Sequence, residues 1–276
     1  MKKFAIIGYP LSHSASPYIH NAAFELYGID AQYGKLEINP DRFDEEIQKI
    51  KKENWTGFNI TIPHKQRIIS YLDSIDPVAQ RIGAVNTIKV EAGGRWVGYN
   101  TDYQGFLKPL EPYRRQIRSC LLAGAGGAAR AVAFALCDLP NIAHLSLLNR
   151  NPQKGLALKN ELERHRSIDY QTRELNDKTA DKEYDLLVNA TPLGMGELKD
   201  QLPFDPIRYA HRKTIVYDLI YNPQETLFLK QAQKDSLKTI NGWPMLLGQA
   251  EAAFHIWTRR GFTEELKHYI ESTLLG

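Results

Sequence analysis

Leu121-Leu122-Ala123-Gly124-Ala125-Gly126-Gly127-Ala128-Ala129-Arg130, followed by Leu147-Leu148-Asn149-Arg150, reads as a buried strand, a glycine turn, the start of a helix and a second strand. Gly124, Gly126 and Ala129 occupy the three small-residue positions of a G-x-G-x-x-G/A fingerprint. The first allows a tight turn, the second lets backbone approach a pyrophosphate, and the third lets helix pack on strand. A helix beginning at Gly127-Ala128 points its free N–H groups and positive dipole end at that phosphate. At the end of the second strand, a protein that binds NAD usually carries an acid for the ribose 2′-hydroxyl. This chain carries Asn149-Arg150-Asn151 there, with Lys154 close behind. A carboxylate would repel a 2′-phosphate and an arginine pairs with it, so the pattern points to NADP. The missing acid also argues against a methyltransferase, whose second strand normally ends in one.

Composition narrows the classes further. The 276 residues allow about two domains, and 43% hydrophobic with 24% charged residues is ordinary for a soluble globular chain. The net charge of +3 is small, and Lys and Arg are scattered, which gives no support for nucleic-acid binding. No apolar run reaches the roughly 20 residues that span a bilayer. The opening Met1-Lys2-Lys3-Phe4-Ala5-Ile6-Ile7-Gly8 breaks too early for a signal peptide and reads as a first strand. Cys120 at a strand start and Cys137 on the apolar side of a helix read as buried small hydrophobes in a reduced, cytoplasmic protein. The histidines lack metal-ligand spacing, so no metal is expected.

About a hundred residues precede the glycine turn, with their own strand and helix signals, and can form a separate domain. Strands are expected at 4–7, 31–37 and 57–62, and a hairpin at 85–91 and 96–99 around Gly93-Gly94. Helices are expected at 17–27, with Ser16 as N-cap and Pro17 at the first helical position, and at 41–53, 64–72 and 77–82. Further strands at 186–190 and 214–218 continue the nucleotide unit, and the last stretch, 245–260 and 263–274, is helical. The reactive end of the cofactor then faces a cleft between two domains, and chain crossings near Asp102-Tyr103 and Asn241-Gly242 suggest a hinge, with Gly242 serving turnover more than stability.

Asn59-Ile60-Thr61-Ile62-Pro63-His64-Lys65 alternates so that Asn59 and Thr61 share a strand face, and Pro63 stops the strand with Lys65 at its mouth. Asn100-Thr101-Asp102 ends another strand in the same way. Ligands collect at the carboxyl ends of strands in open α/β sheets. A lysine and an aspartate meeting there can hand a proton to a carbonyl, which hydride transfer to a ketone requires. Ser12-His13-Ser14-Ala15-Ser16-Pro17 offers hydroxyls at a helix start, where a carboxylate is well received. His13 and His64 have no acid partner in view and stay out of the mechanism.

Seven motifs in order carry a resemblance. They are Gly8-Tyr9-Pro10 with His13 to Pro17, Asn59 to Lys65, Gly83-Ala84-Val85-Asn86-Thr87, Gly98 to Asp102, Gly124 to Arg130, Asn189-Ala190-Thr191-Pro192-Leu193-Gly194-Met195, and Gly242 with Gln249-Ala250. Together they resemble the shikimate dehydrogenase family, from residue 4 to about residue 257. The resemblance implies NADP-dependent interconversion of 3-dehydroshikimate and shikimate, on the route to chorismate and the aromatic amino acids. It implies an N-terminal α/β substrate domain, a Rossmann-like NADP-binding domain, and C-terminal helices that return to the first, with boundaries 1–102, 103–240 and 241–276. By the same resemblance Lys65 and Asp102 are the catalytic pair. Ser14 and Ser16 hold the substrate carboxylate, and Asn59, Thr61, Asn86, Tyr221 and Gln249 bind the carboxylate or ring hydroxyls. Gly124, Gly126, Gly127, Ala128 and Ala129 carry the pyrophosphate, Asn149, Arg150, Asn151 and Lys154 the adenosine phosphate, and Leu219 and Gly242 line the nicotinamide. A monomer or homodimer is expected, with no nucleic-acid or membrane partner.

Three positions depart from the family pattern. Where the family often reads Asn-Arg-Thr-x-x-Arg, this chain has Asn149-Arg150-Asn151-Pro152-Gln153-Lys154, and loss of the second planar guanidinium is expected to lower 2′-phosphate affinity. Pro244 stands where a flexible residue is commoner, and a helix start tolerates it. A quinate/shikimate dehydrogenase of the same fold would commonly alter one serine or place an acid after the second strand. A non-catalytic NADP-binding regulator would be expected to lose Lys65 or Asp102.

Overall fold

The computed structural model describes residues 1–12, 14–175 and 182–275; His13 lies outside them. The chain divides into two compact units, Met1–Gly105 with Leu247–Gly276, and Phe106–Leu246.

The first unit contains β1 (Lys2–Gly8), α1 (Ser16–Leu26), β2 (Ala31–Glu37), α2 (Phe43–Ile50), β3 (Gly57–Ile60), β4 (Ser74–Ile75), α3 (Pro77–Ile82), β5 (Thr87–Val90), β6 (Trp96–Tyr99) and the start of α4 (Asp102–Leu107). Its sheet runs β2-β1-β3-β5-β6-β4. The first three strands are parallel, and β5 and β6 add as an antiparallel hairpin. Alternation along the strands separates two faces. Ala5, Ile7, Phe58, Ile60 and Ile88 pack with Phe43, Ile47 and Ile50 of α2 on one side. Phe4, Tyr33 and Asn59 therefore look the other way, toward α1.

Three local expectations are revised. Ser16 is not the N-cap: Ala15 already has helical φ/ψ, no side chain caps α1, and Ser16 is its first residue. The helix expected at 41–53 is a 3₁₀ turn at Pro40–Arg42 followed by the shorter α2. The helix expected at 64–72 is only a 3₁₀ turn, Arg67–Tyr71. Side chains hold that segment instead, with His64 on the Ile38 carbonyl at 2.7 Å and Arg67 on Asp44 and the Pro40 carbonyl.

The second unit contains β7 (Ser119–Ala123), α5 (Gly127–Cys137), β8 (His144–Asn149), α6 (Pro152–His165), β9 (Asp169–Glu174), β10 (Tyr184–Asn189), β11 (Ala210–Asp218), α7 (Leu227–Lys234) and β12 (Lys238–Ile240). All six strands are parallel, in the order β12-β11-β10-β7-β8-β9. Numbered from β7, this is the 3-2-1-4-5-6 order of a doubly wound dinucleotide fold, with its switch point between β7 and β10. Cys120 to Ala123 and Leu145 to Leu148 are buried, as strands covered on both faces must be.

The boundary between the units falls within α8 (Trp243–Thr258), after which α9 (Glu264–Leu275) closes the described chain. The C-terminal part of α8 packs on the first sheet. Trp257 lies 4.9 Å from Phe4 and donates its indole N–H to the Ile88 carbonyl at 2.9 Å. His20 of α1 is enclosed here, stacked on Tyr33 at 4.6 Å and tilted against Trp257 at 5.1 Å, with neither ring nitrogen hydrogen-bonded. Burial pushes its pKa down from 6.5 to about 3, which the nearby Asn59 side chain opposes only in part. The unfolded chain therefore binds this proton more tightly. The stability that the neutral ring contributes is complete above pH 6.5 and falls as pH drops toward 3, by about 2 kcal/mol at pH 5. His20→Phe keeps the stacking and removes the proton. Denaturant unfolding should show a smaller loss between pH 7 and pH 5 in the variant than in the parent, and equal losses would refute the assignment.

Candidate active site

Lys65 follows the strand stop at Pro63, and its carbonyl accepts the Val85 N–H at 2.8 Å, which ties it to the segment entering β5. Asp102 opens α4 directly after β6. The two meet: Lys65 Nζ donates to Asp102 Oδ2 at 2.6 Å, with side chains only 11% and 7% exposed. Asn86 Nδ2 donates to Asp102 Oδ1 at 2.9 Å and to Thr101 Oγ1 at 2.9 Å, while Thr101 N–H donates to Asn86 Oδ1 at 2.7 Å. The carboxylate thus has both oxygens engaged and cannot rotate away from the ammonium. Asp102 is the one hydrogen-bond partner of Lys65 Nζ among the described residues. An ammonium has three donors, so two of them remain for a ligand.

The remaining expected substrate residues fall into two groups. Ser14 and Thr61 are half-buried in the loops after β1 and β3, and Ser16 is buried at the head of α1. Ser16 is the first residue of the helix and not its cap, and its side chain lies by the buried Tyr33 hydroxyl. Tyr221 follows β11, and Gln249 sits on α8; both are half-buried. Asn59 differs. Its Oδ1 accepts from the Tyr33 hydroxyl at 2.7 Å, and its Nδ2 donates to the Asn86 carbonyl at 3.2 Å and Thr87 Oγ1 at 3.0 Å. Both amide hydrogens are engaged within the chain, so Asn59 supports the segment carrying Asn86, whose own two amide hydrogens go to Thr101 and Asp102. His64 is buried against Phe43 with centroids 4.2 Å apart, and burial lowers its pKa, in keeping with a structural role.

In the second unit the glycine turn joins β7 to α5. Gly124 has φ +116°, and a Cβ there would lie 2.9 Å from the Ala190 carbonyl oxygen and 3.4 Å from the Ala129 Cβ. Both the turn and the close helix approach therefore require it. Gly126 is different: its φ is −80°, and a Cβ there would meet no protein atom. The fold itself does not demand glycine at 126, whereas a pyrophosphate lying against the backbone does. No side chain caps α5, although Asn151 caps α6 and Thr226 caps α7. The first-turn N–H groups of Gly127, Ala128 and Ala129 are thus left for an anion. The residues present fit the phosphates of a dinucleotide.

At the end of β8, the Asn151 carboxamide accepts from the backbone N–H of Gln153 and Lys154, and Asn149 Nδ2 donates to the Asn151 carbonyl at 2.6 Å. Asn151 thus does what a threonine would do at this position, so that departure from the family pattern is harmless to the helix. Arg150 and Lys154 are exposed, and neither side chain has a hydrogen-bond or ion-pair partner among the described residues. Gly242 is tightly enclosed: a Cβ would fall 2.0 Å from the Leu219 carbonyl oxygen. Its φ is not positive, so close backbone approach is what demands glycine there. Gly242→Val should consequently damage the fold first, contrary to the expectation of a mainly kinetic effect. Sequence reading passed over Asp218, fully buried at the end of β11 beside Leu219. The signal was Asn189 in the quoted motif, which lies directly opposite it in register.

A doubly wound nucleotide unit with an uncapped glycine turn, joined in one chain to a buried lysine–aspartate pair, defines a dinucleotide-dependent oxidoreductase. Residues 6–88 match the family described as shikimate dehydrogenase substrate binding domain. A shikimate dehydrogenase (NADP(+)) from Symbiobacterium thermophilum is 40% identical over 280 residues, covering 98% of this chain and 94% of the relative. Among solved structures, a shikimate dehydrogenase in complex with NADP+ is 38% identical with a TM-score of 0.88, covering 100% of this chain and 96% of that one. The shikimate 5-dehydrogenase of Thermus thermophilus, in complex with NADP(H) and shikimate, is 34% identical with a TM-score of 0.84, and both chains are fully covered. The chain belongs to the shikimate dehydrogenase family.

Proposed function

We propose that this protein catalyses the reversible NADPH-dependent reduction of 3-dehydroshikimate to shikimate, a step toward chorismate and the aromatic amino acids. The observation that carries the reading is the Lys65–Asp102 pair, held at 2.6 Å in a buried network with two ammonium donors uncommitted. NADPH supplies a hydride to the carbonyl carbon of the substrate. Lys65 gives its proton to the carbonyl oxygen as negative charge develops there, and in the reverse direction takes it back from the hydroxyl. Asp102 holds the ammonium in place and accepts from a neighbouring ring hydroxyl, while Asn86 keeps the carboxylate oriented.

Ser14 and Ser16 bind the substrate carboxylate, as neutral donors at the head of α1. Asn59, Thr61, Asn86, Tyr221 and Gln249 bind the ring hydroxyls or the carboxylate, the two asparagines by exchanging a partner within the chain for the substrate. The pyrophosphate lies on residues 124–129 at the uncapped N-terminus of α5. Arg150 and Lys154 hold the 2′-phosphate beside Asn149 and Asn151, and Leu219 and Gly242 line the nicotinamide. The first unit is thus the substrate-binding unit and the second the NADP-binding unit. The enzyme acts in the cytoplasm as a monomer or homodimer.

An assay of NADP+ reduction with shikimate or quinate, repeated with NAD+, tests this reading. Shikimate with NADP+ should be the preferred pair. Quinate turned over as well as shikimate would move the protein to the quinate/shikimate class. Binding of NADP+ without turnover of either acid would make it a regulator.

A further inference from the structure

Asn189 and Asp218 end neighbouring strands, and on Asp218 three donors converge, one at the end of β10 and two in the loop after β11. Asp218 Oδ1 accepts from Asn189 Nδ2 at 3.0 Å and from the Ile220 backbone N–H at 3.1 Å, and Oδ2 accepts from the Thr226 hydroxyl at 2.7 Å. The carboxyl group is fully buried, and no cation pairs with it among the described residues. Its burial pushes the pKa up to about 6 in spite of those three donors. Leaving a carboxyl group so placed is costly unless the acceptors are needed.

The donors serve two loops, Asn189 the one after β10, and Ile220 and Thr226 the one between β11 and α7. Asn189 also donates to the Leu193 carbonyl at 2.9 Å and accepts from the backbone and hydroxyl of Thr191, so it shapes the turn of residues 190–194. Ile220 lies in the segment leaving β11, and its carbonyl accepts the Gly242 N–H at 2.9 Å. Thr226 caps α7 through the Leu229 N–H. The turn packs on both Ile220 and Thr226, since a Cβ at Gly194 would lie 3.2 Å from Ile220 Cδ1 and 3.4 Å from Thr226 Cβ.

The strand order says what these loops surround. With the pyrophosphate after β7 and the 2′-phosphate after β8, the other half of a dinucleotide extends across the carboxyl ends of β10 and β11. We infer that Asp218 is a positioning residue that, through Asn189, Ile220 and Thr226, fixes the two loops flanking the nicotinamide ring. This inference rests on the proposed NADP function. A ring held about 1 Å out of place loses about two orders of magnitude in rate at most, while the adenosine end stays anchored elsewhere.

The test compares calorimetric binding of NADP+ with that of 2′,5′-ADP, which lacks the nicotinamide half, alongside shikimate oxidation kinetics. Asp218→Ala should bind 2′,5′-ADP as the parent does, bind NADP+ several-fold more weakly, and lose about tenfold or more in kcat with KM for shikimate nearly unchanged. Asp218→Asn should restore most of both losses. Its carboxamide oxygen still accepts from Asn189 and Ile220, and the Thr226 hydroxyl can turn to accept the new N–H. Asn189→Ala should reproduce the alanine pattern more weakly. Parent-like NADP+ binding and kcat in Asp218→Ala would overturn the inference, as would equal weakening of both ligands. If neither alanine variant folds, or if Asp218→Asn restores stability without restoring kcat, the group serves the core and the inference also falls. A parent protein with no affinity for 2′,5′-ADP would instead refute the cofactor reading on which it stands.

Discussion

Lys65→Ala is expected to lower kcat by about two to four orders of magnitude, the range of general acid–base catalysis. The proton must arrive at the carbonyl oxygen as the hydride reaches carbon, and Lys65 is the group whose donors are uncommitted at that end of the network. KM for shikimate should change far less, because Ser14, Ser16 and the hydroxyl-binding residues remain. The buried geometry adds a consequence that spacing did not suggest. Without the ammonium, Asp102 keeps, among the described residues, the Asn86 amide alone and is left as a buried charge. Removing one partner of a buried pair typically costs about 3–5 kcal/mol, so the variant should also melt at lower temperature. Lys65→Ala with Asp102→Asn removes that charge and should recover much of the lost stability without recovering kcat. This split between melting temperature and turnover is the decisive measurement. A Lys65→Ala enzyme with nearly normal kcat and only weakened substrate binding would refute the proton-transfer role.

How much of this was legible in the sequence depended on whether the determinants were local. The glycine turn and the basic end of β8 lie within single short segments, and their residue types follow directly from phosphate chemistry. Lys65 and Asp102 are far apart in the chain; their places at strand ends make a meeting possible, and the ordered motifs point to it. Ser16 misled because serine before proline is a common helix start, whereas Ala15 already takes helical φ/ψ and draws Ser16 inside. Asn59 is legible as a site residue from its strand face, but its partners within the chain are not. Its actual partners, Tyr33 on β2 and Asn86 before β5, come from other strands, and no local pattern reveals such pairings. The strands β9 and β12 escaped notice because both lie at sheet edges, where Asp169-Tyr170-Gln171-Thr172-Arg173-Glu174 and Lys238-Thr239-Ile240 carry little of the apolar signal of a central strand. Asp218 was passed over for a related reason. A carboxylate at a strand end usually faces water, and only the three converging donors show that this one does not.

Arg150→Ala should separate the two nicotinamide cofactors. The arginine is exposed, follows the last residue of β8, and engages no other described residue, so its removal should leave folding unchanged. Pairing with a 2′-phosphate is a charge-assisted contact of roughly 1.5–3 kcal/mol, or about one to two decades in KM. KM for NADPH should therefore rise by about ten- to a hundredfold while KM for NADH, which has only a hydroxyl there, hardly moves. Lys154 can supply charge but not the planar fork of a second guanidinium. It should hold the residual preference, and Arg150→Ala with Lys154→Ala should bring the two cofactors close to parity. Raised salt should shrink the effect of both substitutions, because these cations are open to solvent. Equal loss with NADPH and NADH after Arg150→Ala would mean that the arginine orients the α6 end of the loop, and discrimination would then have to come from the backbone around Asn149 and Asn151.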